Sequence, residues 1–285
     1  MKPPTDLSLP FFAYGVFKPG ELAFLQVKDL VAECSECSMR GTLRIRDGLP
    51  IASPEDQGEI RGTLIKFRPA AENEAYRRIA ELEPDHQYYW VTVTLKLGKA
   101  NLLAGRSPNK GSVHPEEEWS GHNDPLFTVA LDVVSETLEN NRSFEWDLKP
   151  LFRLEMAYLL LWTSIERYAS LRYHLGDKAT KKVLNLACEP AFQGALRKYV
   201  PEHEASEKRK VFRADKPEKC LALDAGSPED ALLYYHQIRH NLVHRGKGVP
   251  NDHERLEKSL DELLKIFRDT LNAAFAESQW PTATG

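Results

Sequence analysis

No stretch of the chain approaches the ~18–20 uninterrupted apolar residues that a membrane-spanning helix needs, and the opening MKPPTDLSLP lacks the charged-then-apolar pattern of a secretory signal. The expectation is a cytoplasmic protein with no membrane partner. Cysteine is scarce: the four residues at 34, 37, 188 and 220 are too few and too scattered for a disulfide scaffold in 285 residues. CSEC is a lone C-x-x-C without the second cysteine or histidine pair of a four-ligand zinc site. H-E-x-x-H is missing as well, so neither a metal nor a cofactor is expected. Nor is there an excess of positive charge. A net charge of −4 argues against a chain coated in nucleic acid along its whole length. No internal repeat is visible.

What is present is uneven. Residues 113–147 hold nine acidic residues and one arginine, net −8, whereas residues 172–219 hold twelve basic and seven acidic ones, net +5. Any basic surface therefore belongs to the C-terminal half. The length suits two domains better than one. From Phe11 to about residue 97, short β-type runs (FFAYGVF, RGTLRIRDGLPIA, EIRGTLIKF, YYWVTVTLKL) alternate with helical stretches near Glu21–Val31 and Glu72–Leu82, and RDG marks a hairpin.

After a polar Gly/Asn/Pro-rich segment the period becomes helical. A helix is expected from the Asp124 cap and Pro125 to about residue 139, and a long apolar one from KPLFRLEM to Gly176. Two more are expected over 177–199 and 227–246, with a loop over 200–226, and HERLEKSLDELLKIFRDTLNAAFAE closes the series. The fold class expected is α+β: a mixed, β-barrel-like α+β domain at 1–112, an acidic linker and connecting helix at 113–147, and an all-α helical bundle at 148–285.

SPEDALLYYHQIRHNLVHRG is fully punctuated, with Ser227 as cap, Pro228 in the first turn, Glu229 and Asp230 on the dipole and Gly246 as stop. At ~100° per residue, Ala231, Tyr235, Ile238 and Leu242 form a core stripe about 60° wide, and His236, His240 and His244 lie opposite it. The helix rise separates His236 from His244 by ~12 Å, so one ion cannot take both. Arg239 and Arg245 flank the stripe, and Asn241 points with the polar face. Guanidinium, imidazole and amide together suit a phosphodiester: paired donors for anionic oxygens, and a group that exchanges protons near neutral pH.

RHNLVHRG resembles the R-x4-H signature of HEPN domains, which places that signature on Arg239 and His244 with the intervening polar residue at His240. The resemblance extends to the apolar helix with WTSIERY and covers about 148–275. It implies a homodimer in which two such helices face each other, and a metal-independent ribonuclease. His244 would transfer the proton, Arg239 would stabilise the phosphorane, His240 would join them in the catalytic group and with Asn241 orient the phosphate or the imidazole, and Asn241, His236 and Arg245 would bind the substrate. Arg239 and His244 are ~140° apart around the helix, so they converge only if the arginine curls round or a dimer completes the pair.

FFAYGVFKPGE and IAELEPDHQYYWVTVTL resemble the Y-G-T-L and L-D-x-L-E-G segments of the γ-glutamylcyclotransferase-like, or AIG2-like, family, over about 9–100. The resemblance places the catalytic glutamate on Glu83 and the tyrosine that follows it on Tyr89. It implies backbone N–H groups of Tyr14, Gly15, Val16 and Phe17 for a substrate carboxylate, and a γ-glutamyl small molecule as ligand. The sequence departs from that pattern at Val16, Phe17, Ala80 and Pro84. Three readings follow: a ribonuclease acting as a bacterial defence or toxin effector, whose first domain senses or processes a ligand; a cyclotransferase with a dimerising bundle; and a non-catalytic interaction protein.

Overall fold

The computed structural model describes residues 1–142, 148–174, 179–201, 209–213, 216, 218–245 and 253–281, with the side chains at 179, 180, 244 and 245 outside that description. The architecture is α+β with a helical C-terminal part. The chain forms two compact units, Met1–Pro125 with Ser170–Gly176 and Ala274–Gly285, and Leu126–Ala169 with Asp177–Ala273.

The first unit is built on an eight-stranded sheet. Its strands are β1 Phe11–Ala13, β2 Val31–Arg40, β3 Thr42–Arg46, β4 Leu49–Ser53, β5 Glu59–Phe67, β6 Tyr88–Leu95, β7 Gly98–Gly105 and β8 Ser112–Val113, with α1 at Glu72–Leu82. The order is β2-β5-β1-β7-β4-β3-β8, and β6 pairs with β7. The RDG hairpin is present: Asp47 and Gly48 both take positive φ, 54° and 79°, between β3 and β4, which is the geometry of a type I′ turn.

Two parts of this unit depart from expectation. The stretch Glu21–Val31 is not an α-helix but two 3-10 turns, Leu22–Gln26 and Lys28–Leu30, leading into β2. Leu22, Ala23, Phe24, Gln26 and Val27 are all buried, so the segment is enclosed on every side, which a one-faced helix would not satisfy. The second departure is β7, which falls in the segment that reads as a polar connector. A central strand covered on both faces shows no alternation, and Ala100 to Gly105 are continuously buried. Its polar residue, Asn101, is satisfied by donating to the Asp6 carbonyl at 2.7 Å and the Tyr76 hydroxyl at 3.0 Å.

β7 also has an unusual edge. Opposite β6, that edge is shared by two parallel neighbours, β1 at Asn101 and β4 at Ala104. The gap between them is filled by a side chain. Tyr14, fully buried, donates from its hydroxyl to the Leu103 carbonyl at 2.7 Å and accepts from the Ala52 amide at 3.1 Å.

The second unit holds α2 Val129–Asn140, most of α3 Lys149–Arg172, α4 Ala179–Asn185, α5 Pro190–Tyr199, α6 Pro228–Arg245 and most of α7 His253–Glu277. α2 starts four residues later than expected, because Asp124 ends a 3-10 turn and Phe127 is buried ahead of the helix. The span 177–199 is not one helix: a 3-10 turn at Leu186–Cys188 interrupts it and Pro190 restarts it. Nor is this part wholly α. Within the expected loop lie β9 Lys210–Phe212 and β10 Cys220–Ala222, an antiparallel ribbon. A buried polar group joins it to the helices: Arg209 donates to both carboxylate oxygens of Glu262 at 2.6 and 2.8 Å and to Ser259 at 3.1 Å. The Tyr235 hydroxyl donates to the same carboxylate at 2.9 Å.

Candidate functional site

α6 carries the residues the sequence singles out. It opens at Pro228, with the Asp230 amide on the Ser227 hydroxyl at 3.4 Å. Its buried side chains are Ala231, Leu232, Tyr234, Tyr235, Gln237 and Ile238, while Leu242 is half-buried. The core therefore wraps further around the helix than the expected stripe, since α3 packs along it. The Tyr158 hydroxyl donates to the Tyr235 carbonyl at 2.8 Å.

This packing changes the reading of the histidine row. His236 does not stand opposite the core: its ring meets Trp162 edge-on at 5.3 Å. Burial, followed by the charges of Arg239 and His240, lowers its pKa and so favours the neutral ring. His240 is half-buried. Arg239 donates from Nη2 to Glu166 on α3 at 2.9 Å. Asn241, expected to hold a phosphate, accepts from Gln237 at 2.8 Å and donates to the Phe212 carbonyl of the ribbon at 2.8 Å. His244 is the penultimate residue of α6, and its side chain and that of Arg245 lie outside the described residues, as does Gly246.

α6 thus brings together His236, Arg239 and His240, within electrostatic reach of one another. Around the helix, at ~100° per residue, Arg239 is on the α3 flank and Asn241 on the ribbon flank, with His236 and His240 between. Sequence reasoning missed Glu166 as a partner, although it lies in the quoted WTSIERY. It also missed the ribbon.

In the first unit Glu83 is half-buried at the C-terminal end of α1, extended at φ −89°. It is one of the charges that push the Tyr14 hydroxyl's pKa up, after burial and Tyr88. Tyr14, Tyr88 and Glu83 therefore share one neighbourhood. Tyr88, not Tyr89, is the buried tyrosine there, with its hydroxyl on the Pro50 carbonyl at 3.1 Å. Tyr89 is half-buried under the Arg106 guanidinium, 5.3 Å from its ring centre. The Tyr14–Phe17 turn is closed by the Lys18 amide on the Gly15 carbonyl at 2.9 Å, and Phe17 is buried edge-on against Phe11 at 6.2 Å.

Two further features lie next to that turn. Lys18, 5% exposed, pairs with Glu118 and donates to the Trp119 carbonyl at 2.9 Å. Glu21, 4% exposed, accepts from the Gly121 amide at 2.7 Å, and burial raises its pKa to about 7. An open groove of about 910 Å³ runs beside Lys18, lined among others by Glu33, Cys34, Glu59, Arg61 and Trp280. Neither Glu83 nor the 14–17 turn lines it.

Cys34 and Cys37 lie in β2 opposite Ile65 and Gly62. An odd offset on a strand puts them on opposite faces ~10 Å apart along the chain, so the C-x-x-C is not a chelating pair. Burial pushes Cys34 up to about 12, keeping it a thiol. Among the described residues no group of three or more His, Cys, Asp or Glu is placed to hold a metal ion. No helix among them is long and apolar enough to cross a membrane.

No protein-family model matches the chain. No curated protein matches it either. Among solved structures it is similar to an uncharacterized protein, PH0828, from Pyrococcus horikoshii, at 23% identity over 39% of this chain and 89% of that one, with a TM-score of 0.34. A likeness of that size carries no assignment.

Proposed function

We propose that the protein is a metal-independent endoribonuclease of the HEPN type, its C-terminal helices forming a bundle that dimerises through the α6 face. The observation that supports this is the fixed position of Arg239. Glu166 holds its guanidinium on the edge of a face that also carries His236 and His240, so this flank of α6 is a placed polar group and not a row of solvated side chains. Phe152 and Met156, one turn apart on α3 and 49% and 71% accessible, are exposed apolar side chains of the kind a dimer contact would cover.

In the reaction the ribose 2′-oxygen attacks the adjacent phosphorus and the 5′-oxygen leaves, giving a 2′,3′-cyclic phosphate and a 5′-hydroxyl end. His244 takes the 2′-hydroxyl proton or returns one to the leaving oxygen, and Arg239 balances the charge gathering on the phosphorane. His240 orients the phosphate. Incubation of end-labelled structured RNA with excess chelator tests the reading. Wild type leaves cyclic phosphates and His244→Ala leaves the RNA whole; equal cleavage by both would remove the assignment.

A second reading has its own observation: Glu83 sits close enough to the buried Tyr14 hydroxyl to act on its ionisation. A barrel-like first domain of the γ-glutamylcyclotransferase type would use Glu83 to carry the proton from a substrate α-amine to the leaving amine as 5-oxoproline closes. Its test is amine release from γ-glutamyl donors, lost in Glu83→Gln. The boundary between the two parts falls inside the acidic segment 113–147 in this proposal, which also keeps the protein cytoplasmic.

A further inference from the structure

The β9–β10 ribbon has a face that its packing does not explain. Val211 is buried and Leu221 half-buried, so these turn toward the helices, and the ribbon packs on α6. By strand alternation Lys210, Phe212, Cys220 and Ala222 share the other face, and all four are exposed. Phe212 is 55% accessible. An aromatic ring left in water on a two-stranded ribbon adds nothing to the core. It is placed, however: Asn241 grips its carbonyl at 2.8 Å, and the buried Arg209–Glu262 pair fixes the strand one residue before β9.

Residues 210–222 carry a net positive charge, four basic residues against Asp215 and Glu218. Among the described residues after Arg209, the ribbon and its turn carry Lys210, Arg213, Lys216 and Lys219 against Glu218, and the three lysines are exposed. Basic side chains around an exposed ring match a strand of phosphates with unpaired bases, because every base offers a π-face and every linkage a negative charge. A duplex, with its bases stacked inside, offers the ring no partner.

We infer that the β9–β10 ribbon is a guide for single-stranded RNA, with Phe212 stacking on a base and Lys210, Lys216 and Lys219 taking the flanking phosphates, so that the strand is led onto the polar face of α6. The inference rests on the ribonuclease reading for its choice of RNA. It adds a recognition element on the Asn241 flank, opposite the α3 flank that Glu166 occupies.

The test uses the full chain and a fluorescein-labelled, 2′-O-methylated oligouridine, which binds but cannot be cleaved. Anisotropy titrations at several salt concentrations compare wild type with Phe212→Ala, Phe212→Trp and Lys219→Gln. Phe212→Ala is expected to weaken binding about tenfold and Phe212→Trp to keep it. Lys219→Gln is expected to lower the slope of log K against log salt by about 0.7. Unchanged affinity in Phe212→Ala, equal affinity for a duplex, or tighter binding of oligodeoxythymidine than of the RNA analogue would each overturn the proposal. Thermal melting verifies that exposed Phe212 is replaced without loss of fold. The two readings fail separately. RNA bound through Phe212 but never cut would leave the guide standing and remove the nuclease, while cutting abolished by His244→Ala yet untouched by Phe212→Ala would do the reverse.

Discussion

Arg239 on α6 donates to Glu166 on α3 across 2.9 Å, with the two side chains 29% and 42% exposed. An ion pair that open to water is worth only about 0–1 kcal/mol. Its effect is therefore on direction: it points the guanidinium along the α3 flank of the histidine face, at the place where the proposed chemistry needs a cation.

Glu166→Gln is accordingly expected to leave stability within about 1 kcal/mol of wild type, while RNA cleavage falls about tenfold, with Glu166→Asp restoring part of it. Single-turnover rates beside urea denaturation decide the point. A loss of cleavage that tracked a loss of fold would make Glu166 a structural residue only.

Much of this arrangement is legible in the sequence because it depends on local pattern. The α6 cap, the 253–277 helix, α1 and the β3–β4 hairpin follow from capping residues, 3.6-residue periodicity and the Asp47–Gly48 turn. What is illegible depends on remote partners. β2 has little strand character in CSECSMR and exists by pairing along its length with β5. The burial of His236 is decided by Trp162, seventy-four positions away in the chain, and the task of Asn241 by a ribbon too short to show a period. Tyr88 and Tyr89 are neighbours of identical chemistry, and only pairing with β7 tells which is buried.

Tyr14 makes a separate prediction. Its hydroxyl satisfies one buried carbonyl and one buried amide at the point where β1 gives way to β4 on the edge of β7. Tyr14→Phe strands both at about 1–3 kcal/mol each, so a loss of about 2–6 kcal/mol is expected in urea unfolding with unchanged slope. A change under 1 kcal/mol would mean that water or a backbone shift replaces the hydroxyl.

Glu21 should make the stability depend on pH. In the folded chain burial raises its pKa to about 7, whereas an unfolded glutamate titrates near 4.5. Below pH 4.5 both states hold the proton and nothing is lost. Between 4.5 and 7 the unfolded state ionises first, so stability falls as pH rises, by about 3 kcal/mol at most. Glu21→Gln, which still offers an acceptor to Gly121, is expected to raise the melting temperature at pH 8 and to leave it unchanged at pH 4. Equal effects at both pH values would show that the carboxyl titrates alike in the folded and unfolded states.

The Arg209–Glu262 pair, with side chains 13% and 6% exposed, should behave in the opposite way to the open pair at Glu166. Burial works against the Arg209 charge, and the Glu262 hydrogen bonds and charge more than offset it, so its pKa lies above the usual value. Removing one partner strands a buried charge. Glu262→Ala is therefore expected to cost about 3–5 kcal/mol, whereas exchanging both partners for apolar residues of similar size, Arg209→Met with Glu262→Leu, restores much of it. Because Arg209 tethers β9, the double variant separates two roles: stability returns, but the ribbon loses its polar anchor to α7 and single-stranded RNA binding stays weakened. Denaturation and anisotropy on the same preparations read the two outcomes. Full recovery of both would mean that Asn241 and Val211 alone hold the ribbon in place.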